Sequence, residues 1–246
     1  NGYKIKNLNI LPKKSGNINY ASTENNPNTG LFGAVKNGHI KNLTVEGGFV
    51  KGGWYTGALA GRVESTTTTA ATIENCYTNV TVFAPGGTGS GAGRAGGFIG
   101  HIANKVEIKK CANFGNVKLT RTDGSVGGFV GSSYNTASTK SFKIISCFNR
   151  GAVYGSNEGG NTAGILSNAV ETNGEIQNCY NAAPVWGKNN GGILGAAKST
   201  SNGSLIFNRN FVTNVGVGSK TIIRTGAGIL TYSSGFNLQI KYEAHS

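Results

Sequence analysis

The chain has 246 residues, of which 40 are glycine, four are proline and 13% are charged. A collagen-like chain is excluded because the glycines follow no three-residue period and proline is scarce, and no run of about 18 apolar residues is present to span a membrane. The 23 basic and 10 acidic residues give a net charge of +13, which favours an anionic partner. Because the basic residues are spread along the chain, no nucleic-acid partner is expected.

Seven copies of a short motif divide the chain into repeats. Each copy has a small residue, two apolar residues and a second small residue, and the mean spacing is 33 residues. The copies are Gly30-Leu31-Phe32-Gly33, Ala58-Leu59-Ala60-Gly61, Gly97-Phe98-Ile99-Gly100, Gly128-Phe129-Val130-Gly131, Gly164-Ile165-Leu166-Ser167, Gly192-Ile193-Leu194-Gly195 and Gly228-Ile229-Leu230-Thr231. A constant motif at variable spacing indicates one structural turn per repeat, with loops of adjustable length.

A second motif follows each of the first five copies, and a further apolar residue comes six positions after it. The second motif reads Ile40-Lys41-Asn42-Leu43, Ile73-Glu74-Asn75-Cys76, Ile108-Lys109-Lys110-Cys111, Ile144-Ile145-Ser146-Cys147 and Ile176-Gln177-Asn178-Cys179. The further apolar residues are Phe49, Val82, Val117, Val153 and Val185. Ile5-Lys6-Asn7-Leu8 matches the same motif, so we expect a fragment that begins within a repeat of a longer protein.

These patterns favour strands over helices. Isoleucine, valine and phenylalanine are typical of strands, glycine and asparagine are typical of bends, and no segment has the helical period over about 11 residues. The sequence therefore predicts a single all-β domain over residues 1–246. We expect a parallel β-helix (β-solenoid) of about seven coils, in which equivalent residues of neighbouring coils lie about 4.8 Å apart.

The two motifs together resemble the GLUG repeat, through Gly-Leu-Phe-Gly or Gly-Gly-Phe-Val-Gly followed by Ile-x-Asn-Cys-Tyr-Asn. That repeat occurs in bacterial surface proteins, including adhesins, and near the amino terminus of the immunoglobulin A1 protease family. The match extends from Asn1 to about Gly235. The resemblance implies a right-handed β-helix, as does the general preference of parallel crossovers, and an extracellular or cell-surface location. The His-Glu-x-x-His motif of those proteases is absent.

One cysteine recurs per repeat, at the phase that Leu8 and Leu43 take in the first two units. The cysteines are Cys76, Cys111, Cys147 and Cys179. A position that accepts leucine or cysteine is typical of a core, so we expect a ladder of buried, unpaired thiols. Disulfides are an alternative, which parallel Cβ vectors disfavour, and a zinc site is disfavoured by the lack of Cys-x-x-Cys spacing. The asparagines before this phase, Asn42, Asn75 and Asn178, predict a hydrogen-bonded row at the bend.

Catalysis by carboxylates requires two acids that face one sugar bond in glycoside hydrolases. Asp123 is the single aspartate. Four glutamates fall at different offsets of the repeat and form no cluster: Glu46, Glu74, Glu107 and Glu175. We interpret His39 and His101 as surface residues of bends. No catalytic residue, metal or cofactor is therefore predicted, and the chain is not expected to be an enzyme.

A candidate ligand-binding row follows the inward valines. Because neighbours of inward residues in a strand point outward, the next residues predict an exposed row: Val50, Phe83, Lys118, Tyr154 and Trp186. Stacked aromatic and basic side chains bind sugar rings or protein surfaces, so Trp186, Tyr154, Phe83 and Lys118 are the candidate site. The alternative is that the loop at residues 84–96 folds back and covers them.

The sequence thus predicts a non-catalytic extracellular repeat domain of a bacterial cell-surface protein that acts in adhesion or as a spacer. Its expected partner is a glycan or protein of the host or of a cell surface, and this segment is not expected to span a membrane. A dedicated glycan-binding module is the alternative that the aromatic residues favour. A β-helix carbohydrate-active enzyme is less favoured because the acids are few.

Overall fold

The computed structural model describes residues 2–11, 28–66, 68–85, 93–134, 141–170, 173–199, 204–212, 227–232 and 237–241. The regular elements in these ranges are all β-strands. In the same ranges, no helix is long and apolar enough to cross a membrane. The expectation of an all-β chain is confirmed.

Thirty strands, numbered in chain order, occupy the described ranges. They are β1 (Tyr3–Ile10), β2 (Asn28–Thr29), β3 (Phe32–Lys36), β4 (His39–Lys41), β5 (Leu43–Lys51), β6 (Tyr55–Gly57), β7 (Ala60–Ser65), β8 (Ala71–Glu74), β9 (Tyr77–Ala84), β10 (Arg94–Gly96), β11 (Ile99–Asn104), β12 (Val106–Lys109), β13 (Ala112–Asn113), β14 (Val117–Leu119), β15 (Ser125–Gly127), β16 (Val130–Tyr134), β17 (Ser141–Ile145), β18 (Phe148–Asn149), β19 (Val153–Tyr154), β20 (Asn161–Ala163), β21 (Leu166–Val170), β22 (Asn173–Gln177), β23 (Tyr180–Asn181), β24 (Val185–Trp186), β25 (Asn189–Gly191), β26 (Leu194–Ser199), β27 (Ser204–Asn208), β28 (Phe211–Val212), β29 (Ala227–Tyr232) and β30 (Asn237–Lys241).

The strands form four stacks in which neighbouring coils pair in parallel. The first stack is β2-β6-β10-β15-β20-β25, the second is β3-β7-β11-β16-β21-β26-β29 and the third is β4-β8-β12-β17-β22-β27-β30. The fourth runs β1-β5-β9 and then continues along two branches, β13-β18-β23-β28 and β14-β19-β24. In the described ranges the second and third stacks hold seven strands each. This topology is that of a parallel β-solenoid, as predicted.

Most of the described apolar residues of both motifs lie inside the coils, and Phe32, which is 37% exposed, is an exception. The turn between the first and second stacks buries the first apolar residue of five motif copies: Leu59, Phe98, Phe129, Ile165 and Ile193. The second motif places its isoleucines in register along the third stack: Ile40, Ile73, Ile108, Ile144 and Ile176. Stacking like side chains in each layer accounts for the recurrence of the same residue types at one phase of the repeat.

The bend before the cysteine phase has a left-handed backbone in successive coils. The φ angles are 55° at Asn42, 52° at Asn75, 52° at Lys110, 53° at Ser146, 51° at Asn178 and 48° at Arg209. Asparagine adopts this conformation more readily than other side chains with a Cβ, which explains why it is frequent here. The Asn75 Nδ2 also donates to Asn42 Oδ1 (2.7 Å), so the predicted hydrogen bonding is confirmed for this pair.

Strand β1 departs from the predicted register. Leu8 lies over Gly48 and not over Leu43, so the prediction that Leu8 shares the cysteine phase is wrong. A β-bulge between Glu46 and Phe49 interrupts the pairing of β5 with β9. It contains Gly47 and Gly48, whose φ angles are 75° and 87°, and a Cβ at Gly48 would collide with the Leu8 backbone. The bulge therefore lets β1 lie close to β5 at Gly48, which the motif alone does not predict.

The same bulge moves the inward position of β5 by one residue. Val50 pairs with Val82 and is fully buried, whereas Phe49 pairs with Thr81. Val50 and not Phe49 is therefore the inward equivalent of the later valines, because the extra residue reverses which side chains face the core.

The last two coils pair in a register that the motifs do not predict. Phe207 takes the position of Ile176 in the next coil, a register that the sequence left open. Leu194 pairs with Ala227, whereas the motif copies would align it with Leu230. The seventh motif copy is therefore shifted by three residues relative to the sixth in the pairing of β26 with β29.

Candidate functional site

The outward row on the fourth stack consists of residues that pair in five successive coils. In register they are Lys51, Phe83, Lys118, Tyr154 and Trp186, which we call the aromatic row. The structure brings together all four predicted site residues. The prediction that Val50 begins the row is wrong, because the bulge turns Val50 inward and places Lys51 outward. The Lys51 Nζ lies 5.8 Å from the centroid of the Phe83 ring, within cation–π distance.

Tyr154 and Trp186 form the most exposed aromatic pair of this row. Their ring centroids are 4.7 Å apart at an interplanar angle of 12°, and the side chains are 38% and 40% exposed. Phe83 is half-buried and Lys118 is exposed. Since stacking covers one face of each ring, the pair offers a strip of ring edges along the solenoid axis and at most one free face per ring.

The loop that was expected to cover the row lies largely outside the described residues. Ala84 ends β9 and is buried, and the chain is described again from residue 93. The alternative that residues 84–96 pack over the aromatic row therefore stays a prediction.

A second outward row, which sequence reasoning missed, runs along the other branch of the fourth stack. Its aromatic members, in register with Ala112, are Tyr77, Phe148, Tyr180 and Phe211. The Phe148 and Tyr180 rings are stacked at 5.3 Å, and Phe211 is 49% exposed. The residues after three of the four cysteines carried this signal, since they are Tyr77, Phe148 and Tyr180.

The residues that follow the second outward row by one position along the chain form a buried ladder of polar side chains. The Asn113 Nδ2 donates to Asn149 Oδ1 (3.0 Å), and the Asn149 Nδ2 donates to Asn181 Oδ1 (2.8 Å). The hydroxyl of Thr78 begins the ladder by donating to Asn113 Oδ1 (3.0 Å). A Cβ at Gly128 would collide with the Asn149 amide, which explains a glycine at the start of that motif copy. The ladder satisfies buried backbone carbonyls, and its role is structural.

The cysteine phase is a second buried ladder. All four thiols are free and buried in the described ranges, and the backbone N–H of Cys76 donates to Cys111 Sγ (3.4 Å). In the coil after Cys179, Asn210 occupies the same place and accepts from the Cys179 N–H (2.9 Å). Burial raises the pKa of the Cys147 thiol well above its ordinary value, which keeps this thiol protonated and unreactive near neutral pH.

Three glutamates form ion pairs with lysines of the same or a neighbouring coil: Glu46, Glu107 and Glu175. Glu107 and Glu175 share one register position two coils apart, with Lys143 between them, so the prediction that they lie at different offsets is wrong. The Lys143 Nζ is 3.5 Å from Glu175, and Lys109 is 2.9 Å from Glu107. Among the described residues, no group of three or more His, Cys, Asp or Glu side chains is placed to hold a metal ion.

The two described histidines have different environments. His39 is exposed, as predicted, and shares a hydrogen bond with Thr72 Oγ1 (2.7 Å). His101 is only 7% exposed, so its interpretation as a surface residue is wrong. The Tyr55 ring stacks on its imidazole with the ring centroids 4.4 Å apart. Tyr55 belongs to the first stack and His101 to the second, and the sequence did not predict the concave corner at which these two stacks meet.

Comparison with known proteins gives no match: no family model, curated protein or solved structure is detectably similar to this chain.

Proposed function

We propose that this chain is a non-catalytic repeat domain of a bacterial cell-surface protein, and that it acts in adhesion by binding glycans of a host or cell surface along the aromatic row. The sequence resemblance to GLUG repeats supports the extracellular assignment. A spacer role without a ligand is the alternative within the same class, and the experiment below separates the two.

The exposed stack of Tyr154 and Trp186 is the observation that carries the proposal. An exposed aromatic side chain of this size leaves apolar surface in water, and two neighbours in register form a strip and not a scattered pair. Sugar rings have apolar faces that pack on such strips, while their hydroxyls remain hydrated. Trp186 has the larger ring and is expected to contribute more of the binding free energy than Tyr154.

Charge favours an acidic glycan over a neutral one. Lys118 pairs in register with both Phe83 and Tyr154, and Lys51 lies over Phe83. The net charge of the chain is +13. Attraction between these lysines and sugar carboxylates or sulfates is screened by salt over about 8–10 Å at physiological ionic strength, so binding is expected to weaken as salt is added.

A glycan array that includes neutral and acidic structures tests the proposal. The protein is expected to bind acidic glycans, and Trp186→Ala is expected to lower the signal at least about tenfold, since a lost anchor of this size is worth about 2 kcal/mol or more. Tyr3→Ala is the control, because Tyr3 is 74% exposed and lies outside the row. Absence of binding on the array, or equal loss in both variants, would favour the spacer.

A further inference from the structure

A concave feature lies away from the aromatic row, at the corner between the first and second stacks. It is a cavity of about 240 Å³. Its lining includes Tyr55, Arg62, Arg94, His101, Ser132 and Ser133. These side chains come from three successive coils, since His101 pairs in register with Arg62 on one side and with Ser132 on the other.

The cavity contains a hydrogen-bond donor that the protein itself does not satisfy. The Nε of Arg62 is buried without a partner, although its Nη2 forms an ion pair with Glu64 (2.5 Å). Buried polar groups are nearly always paired, and an unmatched guanidinium nitrogen beside a cavity indicates a ligand that supplies an acceptor.

Charge gives the sign of that ligand. The described side chains that line the cavity include two guanidinium groups and no carboxylate. His101 adds no positive charge at neutral pH: burial lowers its pKa to about 3, and the charges of Arg62 and Arg94 contribute to the shift. Its Nδ1 shares a hydrogen bond with Ser132 Oγ (2.7 Å), and Tyr55 stacks on its ring, so these groups form a rigid wall.

Size limits the ligand to a small group. Sites for drug-sized molecules have volumes of about 300–1,000 Å³, and this cavity is smaller. A single oxyanion, alone or as the charged end of a larger molecule, fits both the volume and the donors, because guanidinium groups bind carboxylate, sulfate and phosphate oxygens in a bidentate manner.

We propose that this corner cavity is an oxyanion-binding site in which the guanidinium groups of Arg62 and Arg94 hold a carboxylate or sulfate group. The site is independent of the glycan-binding role of the aromatic row, because it lies on other strands and uses other residues. Its ligand is either a free inorganic oxyanion or the acidic group of a sugar.

The experiment uses the single-tryptophan variant Trp186→Phe, in which Trp54 is the sole tryptophan. The Trp54 and Tyr55 rings are 5.9 Å apart, so Trp54 fluorescence reports on the cavity. Sodium sulfate and sodium glucuronate are titrated at constant ionic strength against sodium chloride, and the melting temperature is measured in parallel. Saturable changes with both readouts are expected, since a ligand of the folded state stabilises it.

Two variants assign the response to the cavity. Arg94→Gln, in this background, is expected to weaken binding at least about tenfold, because a hydrogen bond to a charged group is lost. Arg62→Gln is expected to weaken it about two- to tenfold, since a charged donor at the cavity is removed. Arg150→Gln is the matched control, because Arg150 is exposed and does not line the cavity.

The outcomes decide the proposal without reference to the aromatic row. Tighter binding of glucuronate identifies a sugar acid as the ligand class, and tighter or equal binding of sulfate identifies a free oxyanion. A response no larger than that to chloride would overturn the site. So would an affinity that is the same in Arg62→Gln as in Arg150→Gln, which remains measurable even if Arg94→Gln fails to fold.

Discussion

Two aromatic pairs in this solenoid have nearly the same geometry and opposite surroundings. The Phe98 and Phe129 rings lie 4.5 Å apart at 7°, and the Tyr154 and Trp186 rings lie 4.7 Å apart at 12°. The first pair is fully buried, whereas the members of the second are 38% and 40% exposed. Coil register therefore produces stacking by itself, and only the phase within the coil decides whether a stack holds the core together or faces a ligand.

The largest effect is expected from breaking the buried pair. Phe129→Ala leaves a cavity beside Phe98 in a middle coil and is expected to lower the free energy of unfolding by about 3–5 kcal/mol, measured by urea denaturation. Tyr3→Ala serves as the exposed control and is expected to change it by less than about 0.5 kcal/mol. A loss below about 1 kcal/mol for Phe129→Ala would mean that this stack is not core.

The asparagine ladder of Asn113, Asn149 and Asn181 adds a third case to the comparison of buried and exposed stacks, because its side chains are buried but polar. Asn149 donates to Gly151 O (3.0 Å) and to Asn181 Oδ1 (2.8 Å). Asn149→Ala leaves these buried acceptors short of a donor and is expected to cost about 2–3 kcal/mol. The control is Asn116→Ala, because Asn116 is exposed and accepts from the Ala152 N–H (2.9 Å). Equal and small losses in both variants would contradict a structural ladder.

His101 extends the comparison to a buried group that can be charged. Its imidazole faces Tyr55, Arg62, Arg94 and Ser132, and burial lowers its pKa to about 3. The unfolded chain binds this proton near pH 6.5 and the folded chain does not, so stability is fully present above pH 6.5 and falls as the pH drops towards 3. The expected slope from this group is about 1.4 kcal/mol per pH unit.

Because other groups also titrate, the contribution of His101 is measured as the difference between variants in how the free energy of unfolding depends on pH. Urea denaturation between pH 7 and pH 4 is expected to show a smaller loss of stability in His101→Gln than in the parent protein. His39→Gln is the control, because His39 is exposed, and its pH profile is expected to match that of the parent. Parallel profiles for His101→Gln and the parent would show that His101 is protonated in the folded state.

Local patterns in the sequence predict the coil but not its corners. The phases of Ile73, Ile108 and Cys111 follow from period and residue type, and the row from Phe83 to Trp186 follows from strand alternation. The burial of His101 depends on contact with the Tyr55 ring, which belongs to another stack of the preceding coil. Such contacts depend on how sharply the chain turns between strands, and no residue spacing encodes that angle.

The register of the first coil escaped prediction for a different reason. Gly47 and Gly48 insert a bulge, and one extra residue moves every later side chain of β5 to the opposite face. The motif in β1 resembles the second motif in composition, yet its pairing follows the bulge, so Leu8 lies over Gly48. A pair of glycines within a strand was the available signal.

The exposed pair gives the most direct test of the central claim, which is that the aromatic row binds a ligand and does not support the fold. Tyr154→Ala and Trp186→Ala are combined in one protein, and glycan binding and the free energy of unfolding are measured on the same preparation. Binding is expected to be abolished while the free energy of unfolding falls by less than about 1 kcal/mol. A protein that loses several kcal/mol of stability, or that retains its affinity for the glycan, would contradict the account and make the row structural.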